Sequence, residues 1–168
     1  MENNNELVLQ SRTDELTKVL NRRGTYEYGQ QLIDLNISMN KTGTVFFCDL
    51  DGLKKINDTW GHEIGDLAIK TEAEVLKATF RGSDLVGRLS GDEFCVVAPG
   101  YEVENVNELR KELIENNEKF SEDAGLPFTL SISIGGMEFS NLNSSIQELL
   151  HAADQQLYEE KHIKHGKK

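Results

Sequence analysis

The sequence predicts an α/β domain of the α+β type, in which a partly antiparallel sheet is flanked by helices. Four segments carry apolar residues at helical spacing, short apolar runs rich in β-branched and aromatic residues lie between them, and a β-hairpin stands in mid-chain. Because a hairpin joins antiparallel strands, this order differs from the strict strand–helix alternation of a doubly wound parallel sheet. The glycine patterns of dinucleotide-binding and P-loop folds are absent from the sequence.

The first element is a helix from Asn21, a good N-cap residue, to about Ser38. Its apolar face is predicted to hold Tyr28, Leu32 and Leu35. The run 45–48 then predicts a buried central strand that ends at Asp49.

A polar segment leads from this strand to Gly61, and a second helix is predicted over 63–80. Its inner face comprises Ile64, Leu67, Ala68, Val75 and Leu76. The runs 85–89 and 94–98 form the hairpin, joined by the four residues Ser90-Gly-Asp-Glu93.

The last third of the chain predicts a helix, a strand and a helix. Apolar residues at helical spacing mark a third helix over 103–113, and the alternating run 128–134 predicts a strand. The capping box 145–148 opens the last helix. Its apolar positions are Ile146, Leu149, Leu150, Ala153 and Leu157.

Length and composition predict one domain. The chain has 168 residues, of which 38% are hydrophobic, enough for one sizeable core. We assign residues 13–165 to this domain, with a polar linker at 1–12 and a tail at 166–168. No apolar stretch approaches the ~18 residues that span a bilayer, and the N-terminus has no signal-peptide layout. The expected location is cytoplasmic, either free or as the cytoplasmic part of a membrane-bound signalling protein.

Charge and cysteine content limit the classes of partner and site that the chain can have. The formal net charge is −11, which disfavours nucleic acid and anionic membrane surfaces as partners. A nucleotide ligand remains compatible if metal ions stand between its phosphates and the carboxylates. Cys48 and Cys95 lie in apolar runs without a zinc-binding spacing, as expected of buried thiols in a reducing compartment.

The densest polar cluster follows the central strand. Asp49 closes that strand, and strand ends collect ligand sites in α/β sheets, where a carboxylate can hold Mg²⁺. Gly52 permits a sharp turn, so that its N–H and that of Leu53 could face a phosphate. A solvated turn that caps a helix is the alternative. An EF-hand is excluded because its loop requires an acid or asparagine and then a glycine where this chain has Leu53 and Lys54. The segment also resembles the nucleophile loop of haloacid-dehalogenase-type phosphatases, but that loop has a threonine where this chain has Leu53.

The hairpin tip is the second polar cluster. Asp92 and Glu93 are adjacent carboxylates on a tight turn, which repel unless a cation or a shared proton relieves them. Taken alone, the tip is also compatible with a plain turn. Together with Asp49, these side chains could converge on two divalent ions about 3.5–4 Å apart, an arrangement that catalyses phosphoryl and nucleotidyl transfer.

Five segments in the right order resemble GGDEF domains, the diguanylate cyclases. The hairpin segment Leu89-Ser-Gly-Asp-Glu-Phe94 is a variant of the family motif with serine first. The other four segments are 14–23, 47–66, 132–135 and 153–161. The resemblance implies a mostly antiparallel central sheet flanked by helices, similar to adenylyl cyclase catalytic domains and polymerase palm domains. It also implies the condensation of two GTP molecules into cyclic di-GMP and two pyrophosphates by two facing domains.

The resemblance also implies roles for individual residues. Metal ligands would be Asp49, the carbonyl of Leu50 and Asp92, which hold two Mg²⁺ or Mn²⁺ ions per site. Asp92 would also be the base for the 3′-hydroxyl, with Glu93 in support. Guanine would be read by Asn57 and Asp66, with His62 beside them. The β- and γ-phosphates would be held by the N–H groups of Gly52 and Leu53 and by Lys161, and Lys54 and Lys55 are further candidates.

Arg81 and Asp84 match the R-x-x-D motif through which cyclic di-GMP inhibits these enzymes. The planar guanidinium can pair with phosphate and guanine edges, and Asp84 can accept from guanine N–H groups. The same string also describes a simple ion pair at a helix end.

Two departures from the family pattern stand out. Ser90 replaces the first glycine of the motif, and we expect activity to survive this change. Lys164 and His165 stand where the family has glycine and arginine, so Lys164 is the candidate for a second phosphate contact.

The sequence therefore predicts an active, product-inhibited diguanylate cyclase that works as a homodimer. An upstream sensor module is expected in the natural chain. The rival reading is a catalytically silent module that binds GTP or cyclic di-GMP as a sensor.

Overall fold

The computed structural model describes residues 11–166, with side chains to residue 162. In this part of the chain five helices surround one four-stranded sheet. The helices are α1 (Arg22–Ser38), α2 (Leu53–Trp60), α3 (His62–Thr79), α4 (Val106–Asp123, after a 3-10 turn Val103–Asn105) and α5 (Ile146–Gly166). The strands are β1 (Gly43–Leu50), β2 (Leu85–Ser90), β3 (Glu93–Pro99) and β4 (Ile132–Phe139).

The sheet has the order β2-β3-β1-β4, and each neighbouring pair is antiparallel. This confirms the predicted fold class and the hairpin. β1 lies in the interior of the sheet and is buried along almost its whole length, as its continuous apolar run predicts. Its C-terminal end reaches the hairpin tip on one side and the start of β4 on the other, because Cys48 pairs with Phe94 and Leu50 with Ile132.

Alternation along β1 divides the core into two layers. Phe46 and Cys48 belong to the layer under α3 and α4. Val45 and Phe47 belong to the layer under α1 and α5. Asp49 has the parity of Phe47, so its side chain points toward α5.

Helix caps were predicted well from local sequence. The Asn21 side chain accepts a hydrogen bond from the Gly24 N–H at 2.9 Å. The Ser145 hydroxyl faces the Glu148 N–H at 3.5 Å at the start of α5. Residues Ile146, Leu149, Leu150, Ala153 and Leu157 are all buried, as predicted.

Three predictions about local structure were wrong. Tyr28 and Leu35 are exposed, because α1 packs through Gly29 and Ile33 instead. The polar segment after β1 is the helix α2. The predicted strand 128–134 is displaced: β4 begins at Ile132, where β1 offers a partner, and continues to Phe139.

The ends of the chain are described only in part. Most of the predicted linker lies outside the described residues, and within the remainder Arg12 pairs with Glu27 at 2.7 Å. The end of the tail and the side chains of Lys164 and His165 also lie outside the described part. Among the helices of residues 11–166, none has the length and apolar character needed to cross a membrane.

Candidate active site

Asp49 meets a lysine from the C-terminal helix. Because Asp49 points toward α5, its Oδ1 lies 2.7 Å from Lys161 Nζ, an ion pair without directed hydrogen-bond geometry. The same ammonium is 3.3 Å from Asp51 Oδ1. The side chains of Asp49 and Lys161 are 19% and 27% exposed, so the pair is largely shielded from water. One cation is therefore shared by two carboxylates at the end of β1.

Asp51 is anchored by Ser133 in β4 and by Ser131 just before that strand. Its two carboxylate oxygens accept hydrogen bonds from the Ser131 and Ser133 hydroxyls at 2.6 and 2.7 Å. Its N–H donates to the Ser131 carbonyl at 2.8 Å. These bonds fix the chain just where it leaves the sheet and enters α2.

The hairpin tip brings Asp92 to the same place. The Leu50 N–H donates to Asp92 Oδ2 at 3.2 Å, so the carboxylate of Asp92 touches the backbone next to Asp49. Glu93 accepts a hydrogen bond from the Ser90 hydroxyl at 2.6 Å. The structure thus brings Asp49, Leu50 and Asp92 together, as their predicted common role requires.

Arg88 supports the tip from β2. Its Nε donates to the Gly91 carbonyl at 2.8 Å, and its Nη1 lies 3.1 Å from Asp14 Oδ1. Asp14 also accepts from the N–H and the hydroxyl of Thr17. Burial alone would raise the pKa of Asp14, but the hydrogen bonds from Thr17 and the charge of Arg88 lower it overall. An ionised Asp14 therefore ties the residues before α1 to the hairpin.

Negative charge accumulates at this end of the sheet. Burial, then the charges of Asp92 and Asp51, raise the pKa of Asp49 to about 6 despite the nearby Lys161. Burial also raises the pKa of Asp92, and the charge of Glu93 adds to that increase. Burial would lower the pKa of Lys161, but Asp49 and Asp51 raise it overall, so the lysine stays charged.

Glu72 extends the negative charge into the core. This α3 residue is 0% exposed, and neither of its carboxylate oxygens has a hydrogen-bond partner among the side chains and backbone of residues 11–162. Burial, then the charges of Asp92 and Asp49, raise its pKa well above the usual value. Burial without a partner therefore favours the neutral, protonated form of Glu72 behind the site.

The oxygen ligands at this site suit Mg²⁺, which needs few protein ligands, better than a metal that is coordinated by protein side chains alone. Within residues 11–166, no three His, Cys, Asp or Glu side chains are arranged to hold a metal by themselves. Mg²⁺ is commonly bound by one or two carboxylates, with water and substrate phosphate completing its coordination. This pattern fits Asp49 and Asp92, which lie next to the Leu50 backbone. The positive charge around them is too small to balance the carboxylates.

The predicted phosphate-binding N–H groups lie at the start of α2, and the predicted guanine-binding residues lie on both sides of the corner between α2 and α3. Gly52 adopts φ +75°, a left-handed conformation that glycine enters without strain, and α2 begins immediately after it. The Asn57 side chain crosses the first turn of α3 so closely that a Cβ on Gly65 would lie 1.8 Å from its Oδ1. Asp66 is the next residue after Gly65 on α3, and it is exposed.

The remaining predicted nucleotide contacts are also accessible. His62 is exposed at the first position of α3, and Lys54 and Lys55 are exposed on α2. Leu53 is half-buried at the start of that helix.

Arg81 and Asp84 lie at the opposite end of β2 from the hairpin tip. Arg81 Nη2 and Nε donate to Asp84 Oδ1 and Oδ2 at 3.0 and 3.2 Å, a two-pronged ion pair. The guanidinium also lies 4.8 Å from the centre of the Tyr101 ring and donates to the Pro99 carbonyl. The Asp84 side chain is 0% exposed beneath Arg81, whereas Arg81 is 50% exposed.

Sequence reasoning missed three charged residues around the site: Asp51, Glu72 and Arg88. A charged residue on an otherwise apolar face was the available signal for Glu72, between Ile69 and Val75 on α3. Arg88 gives a similar signal within β2. Asp51 had no such signal, because acidic residues are ordinary in turns.

Comparison with known proteins identifies close relatives. The family profile described as "Diguanylate cyclase, GGDEF domain" matches residues 11–167. Diguanylate cyclase DgcP of Escherichia coli K12 is 36% identical over 99% of this chain and 49% of its own length. A second relative, "Probable diguanylate cyclase DgcC" of the same strain, is 34% identical over 95% of this chain and 43% of its own. The chain thus spans less than half the length of these two relatives.

Solved structures share the fold. The coiled coil and GGDEF domain of DgcB from Caulobacter crescentus, in complex with c-di-GMP, superposes with a TM-score of 0.81 and 22% identity, covering 96% of this chain and 86% of that one. A microbial GGDEF domain studied for its interaction with cyclic di-GMP gives a TM-score of 0.78 at 27% identity, with 94% of each chain covered.

Proposed function

This chain belongs to the GGDEF family, and from that premise we propose that it condenses two GTP molecules into cyclic di-GMP and two pyrophosphates. The observation that carries the proposal is the meeting of Asp49 and Asp92 at the end of β1, beside Lys161. Divalent metal ions, two Mg²⁺ or Mn²⁺ per site, would polarise the α-phosphate and activate the 3′-hydroxyl. Asp49, the Leu50 carbonyl and Asp92 are their proposed ligands.

The α2–α3 corner supports recognition of guanine. Ionised Asp66 only accepts hydrogen bonds, and guanine offers two adjacent donors, N1–H and the 2-amino group. Asn57 can donate and accept, so it can reinforce the same edge of the base, with His62 beside it. Adenine has neither donor at that edge and would leave Asp66 without a partner.

The phosphates are assigned to the N-terminal end of α2, at the opposite end of that helix from the corner that would bind guanine. The N–H groups of Gly52 and Leu53 begin α2, where the helix dipole favours negative charge. Lys161 contacts Asp51, the residue just before Gly52, and phosphate oxygens can replace its carboxylate partners.

The reaction needs two chains because each site holds one nucleotide. In each half-reaction a 3′-oxygen bonds to the facing α-phosphorus, the bond to the pyrophosphate oxygen breaks, and Asp92 accepts the proton of the attacking hydroxyl. Glu93 supports this site from the next position. Lys161 and the N–H groups of Gly52 and Leu53 hold the departing pyrophosphate.

Product inhibition is assigned to Arg81 and Asp84, away from the reacting groups. Cyclic di-GMP would bind through its phosphate and guanine edges to this pair. The structure of DgcB solved with c-di-GMP is consistent with a product-binding role in the family. The length of the full relatives supports a further proposal, an upstream sensor module in the natural protein.

One experiment tests the activity. The purified domain is incubated with GTP and Mg²⁺ at increasing protein concentration, and cyclic di-GMP is measured by chromatography. We expect product whose specific activity rises with concentration and then levels off. GTP binding without product would favour the silent module, which Ser90 in place of glycine weakly supports. Constant specific activity from a demonstrated monomer would contradict the paired-site mechanism.

A second experiment tests base recognition. Turnover with GTP, inosine triphosphate and ATP is compared in wild type, Asp66→Ala and the control Glu115→Ala, which alters the exposed face of α4. A site built on hydrogen bonds can reject an analogue that lacks them by about 10⁴-fold, so ATP should give little product. Inosine triphosphate keeps N1–H and should fall between the two. If Asp66→Ala separates GTP from inosine triphosphate as sharply as wild type, Asp66 does not read the base.

A further inference from the structure

The serine that replaces glycine at the head of the motif makes a specific contact. Ser90 is the last residue of β2 and pairs across the hairpin with Glu93, the first residue of β3. Its hydroxyl donates to Glu93 Oε1 at 2.6 Å. Glycine and alanine have no group that could make this bond.

The bond spans the two residues that form the tip. Between Ser90 and Glu93 lie only Gly91, at φ +46°, and Asp92. Arg88 holds the Gly91 carbonyl from the strand side. The Ser90–Glu93 bond therefore restrains the side chain next to Asp92, whereas Arg88 restrains the backbone.

The charges around Glu93 explain why a donor matters there. Asp92 is its neighbour in sequence, and Asp154 on α5 is close enough for Glu93 to add to the increase that burial causes in the pKa of Asp154. Without restraint, the Glu93 carboxylate would turn away from these like charges. A hydroxyl hydrogen offsets part of the repulsion and leaves Oε2 free of this bond, with further acceptor capacity on Oε1.

We propose that Ser90 is a positioning residue, whose hydroxyl orients the Glu93 carboxylate for its supporting role at the metal site. This inference rests on the proposed function, which assigns that role to Glu93. The serine is then a substitution that contributes to the site, rather than one that the site merely tolerates.

The test measures metal binding without turnover. Mn²⁺ is titrated into the protein saturated with 3′-deoxy-GTP, which lacks the attacking hydroxyl, and free Mn²⁺ is followed by electron paramagnetic resonance. Ser90→Ala should weaken Mn²⁺ binding about threefold to tenfold, the range for the net contribution of one ordinary hydrogen bond. Ser90→Thr keeps a hydroxyl and should bind within about twofold of wild type.

A double-mutant cycle separates this role from a general effect on the hairpin. In a Glu93→Ala background, Ser90→Ala should cause much less additional loss, because the carboxylate that the hydroxyl orients is already gone. An equal loss in both backgrounds, or unchanged Mn²⁺ binding in Ser90→Ala, would overturn the proposal. Thermal melting of each variant checks that the hairpin folds. Failure of the cyclase activity itself would appear separately, as wild-type protein that yields no cyclic di-GMP from GTP.

Discussion

The two ends of β2 carry charged clusters that differ in how far their charges are balanced. At the start of the strand, Arg81 and Asp84 form a two-pronged pair, with one positive charge for one negative charge. At its end, the hairpin tip brings Asp92 close to the end of β1, where Lys161 lies between Asp49 and Asp51. The first cluster is satisfied within the chain, whereas the second holds more negative than positive charge.

This difference predicts different ways of binding ligands. Burial is the largest cause that raises the pKa of Asp49 to about 6, and the charges of Asp92 and Asp51 add to it. The same excess of carboxylates favours the binding of a cation at the end of β1. A ligand at the other end must instead compete with Asp84 for Arg81, so part of its binding energy is spent in opening the existing pair. We therefore expect changes at the carboxylate end to have the larger effects.

The largest effect is expected when the carboxylate end loses a ligand. Asp92→Asn keeps the shape of the side chain but removes its charge, and cyclic di-GMP formation should fall at least about a hundredfold. Glu115→Gln, the same kind of change on the exposed face of α4, is the control. Initial rates with saturating GTP and Mg²⁺ provide the measurement. Turnover of Asp92→Asn near the control value would show that the metal assignment is wrong.

The buried acid behind that end should make stability depend on pH. Burial, then Asp92 and Asp49, raise the pKa of Glu72 in the folded protein well above 4.5. The folded state therefore binds this proton more tightly than the unfolded state, and stability should fall as pH rises above about 4.5, by up to about 1.4 kcal/mol per pH unit. Glu72→Gln stays neutral and should remove this contribution.

Urea unfolding of wild type and Glu72→Gln at pH 5, 6, 7 and 8 measures that contribution. Glu74→Gln is the matched control, because Glu74 is on the same helix but exposed, in an ion pair with Lys77. The free energy of unfolding of Glu72→Gln, relative to that of wild type, should increase as pH rises. A constant difference between these two proteins across the series would mean that Glu72 does not carry the proton.

The smallest effect is expected at the balanced end. Arg81→Ala removes a guanidinium that contacts phosphate in the proposed product complex, but it also removes the existing pair with Asp84. Affinity for cyclic di-GMP should fall about tenfold, measured by calorimetry, with Lys111→Ala on α4 as the control. Equal product affinity in Arg81→Ala and the control would leave Arg81–Asp84 as a simple ion pair.

Local sequence was sufficient wherever the stabilising contact is itself local. The Asn21 and Ser145 caps and the hairpin each depend on residues within a few positions of one another. The side chains of α5 were assigned correctly because five apolar residues follow one helical stripe. The motif segments also identified the family, since their order along the chain is a property of sequence alone.

Packing decided which face of α1 is buried. Gly29 contacts the side chain of Ile146 on α5, and this close approach places the apolar Tyr28 and Leu35 in solvent. Hydrophobicity alone predicts that the larger apolar side chains of α1 are the buried ones. A small residue that allows two helices to approach gives no hydrophobic signal.

Sequence by itself determined the helices with strong caps, the hairpin, the family and the main candidate residues. Only the tertiary structure decided that Lys161 pairs with Asp49 and Asp51, that Glu72 is buried with no hydrogen-bond partner among the described residues, and that Ser90 binds Glu93. The contacts of Lys161 join distant parts of the chain, and Glu72 is buried by helices and strands that are distant in sequence. The Ser90–Glu93 bond is local, but it depends on the bend of the hairpin. The reason is physical: residue type and spacing encode local hydrogen bonds and periodicity, whereas the balance of charge at a site depends on which distant side chains the fold brings within a few ångströms.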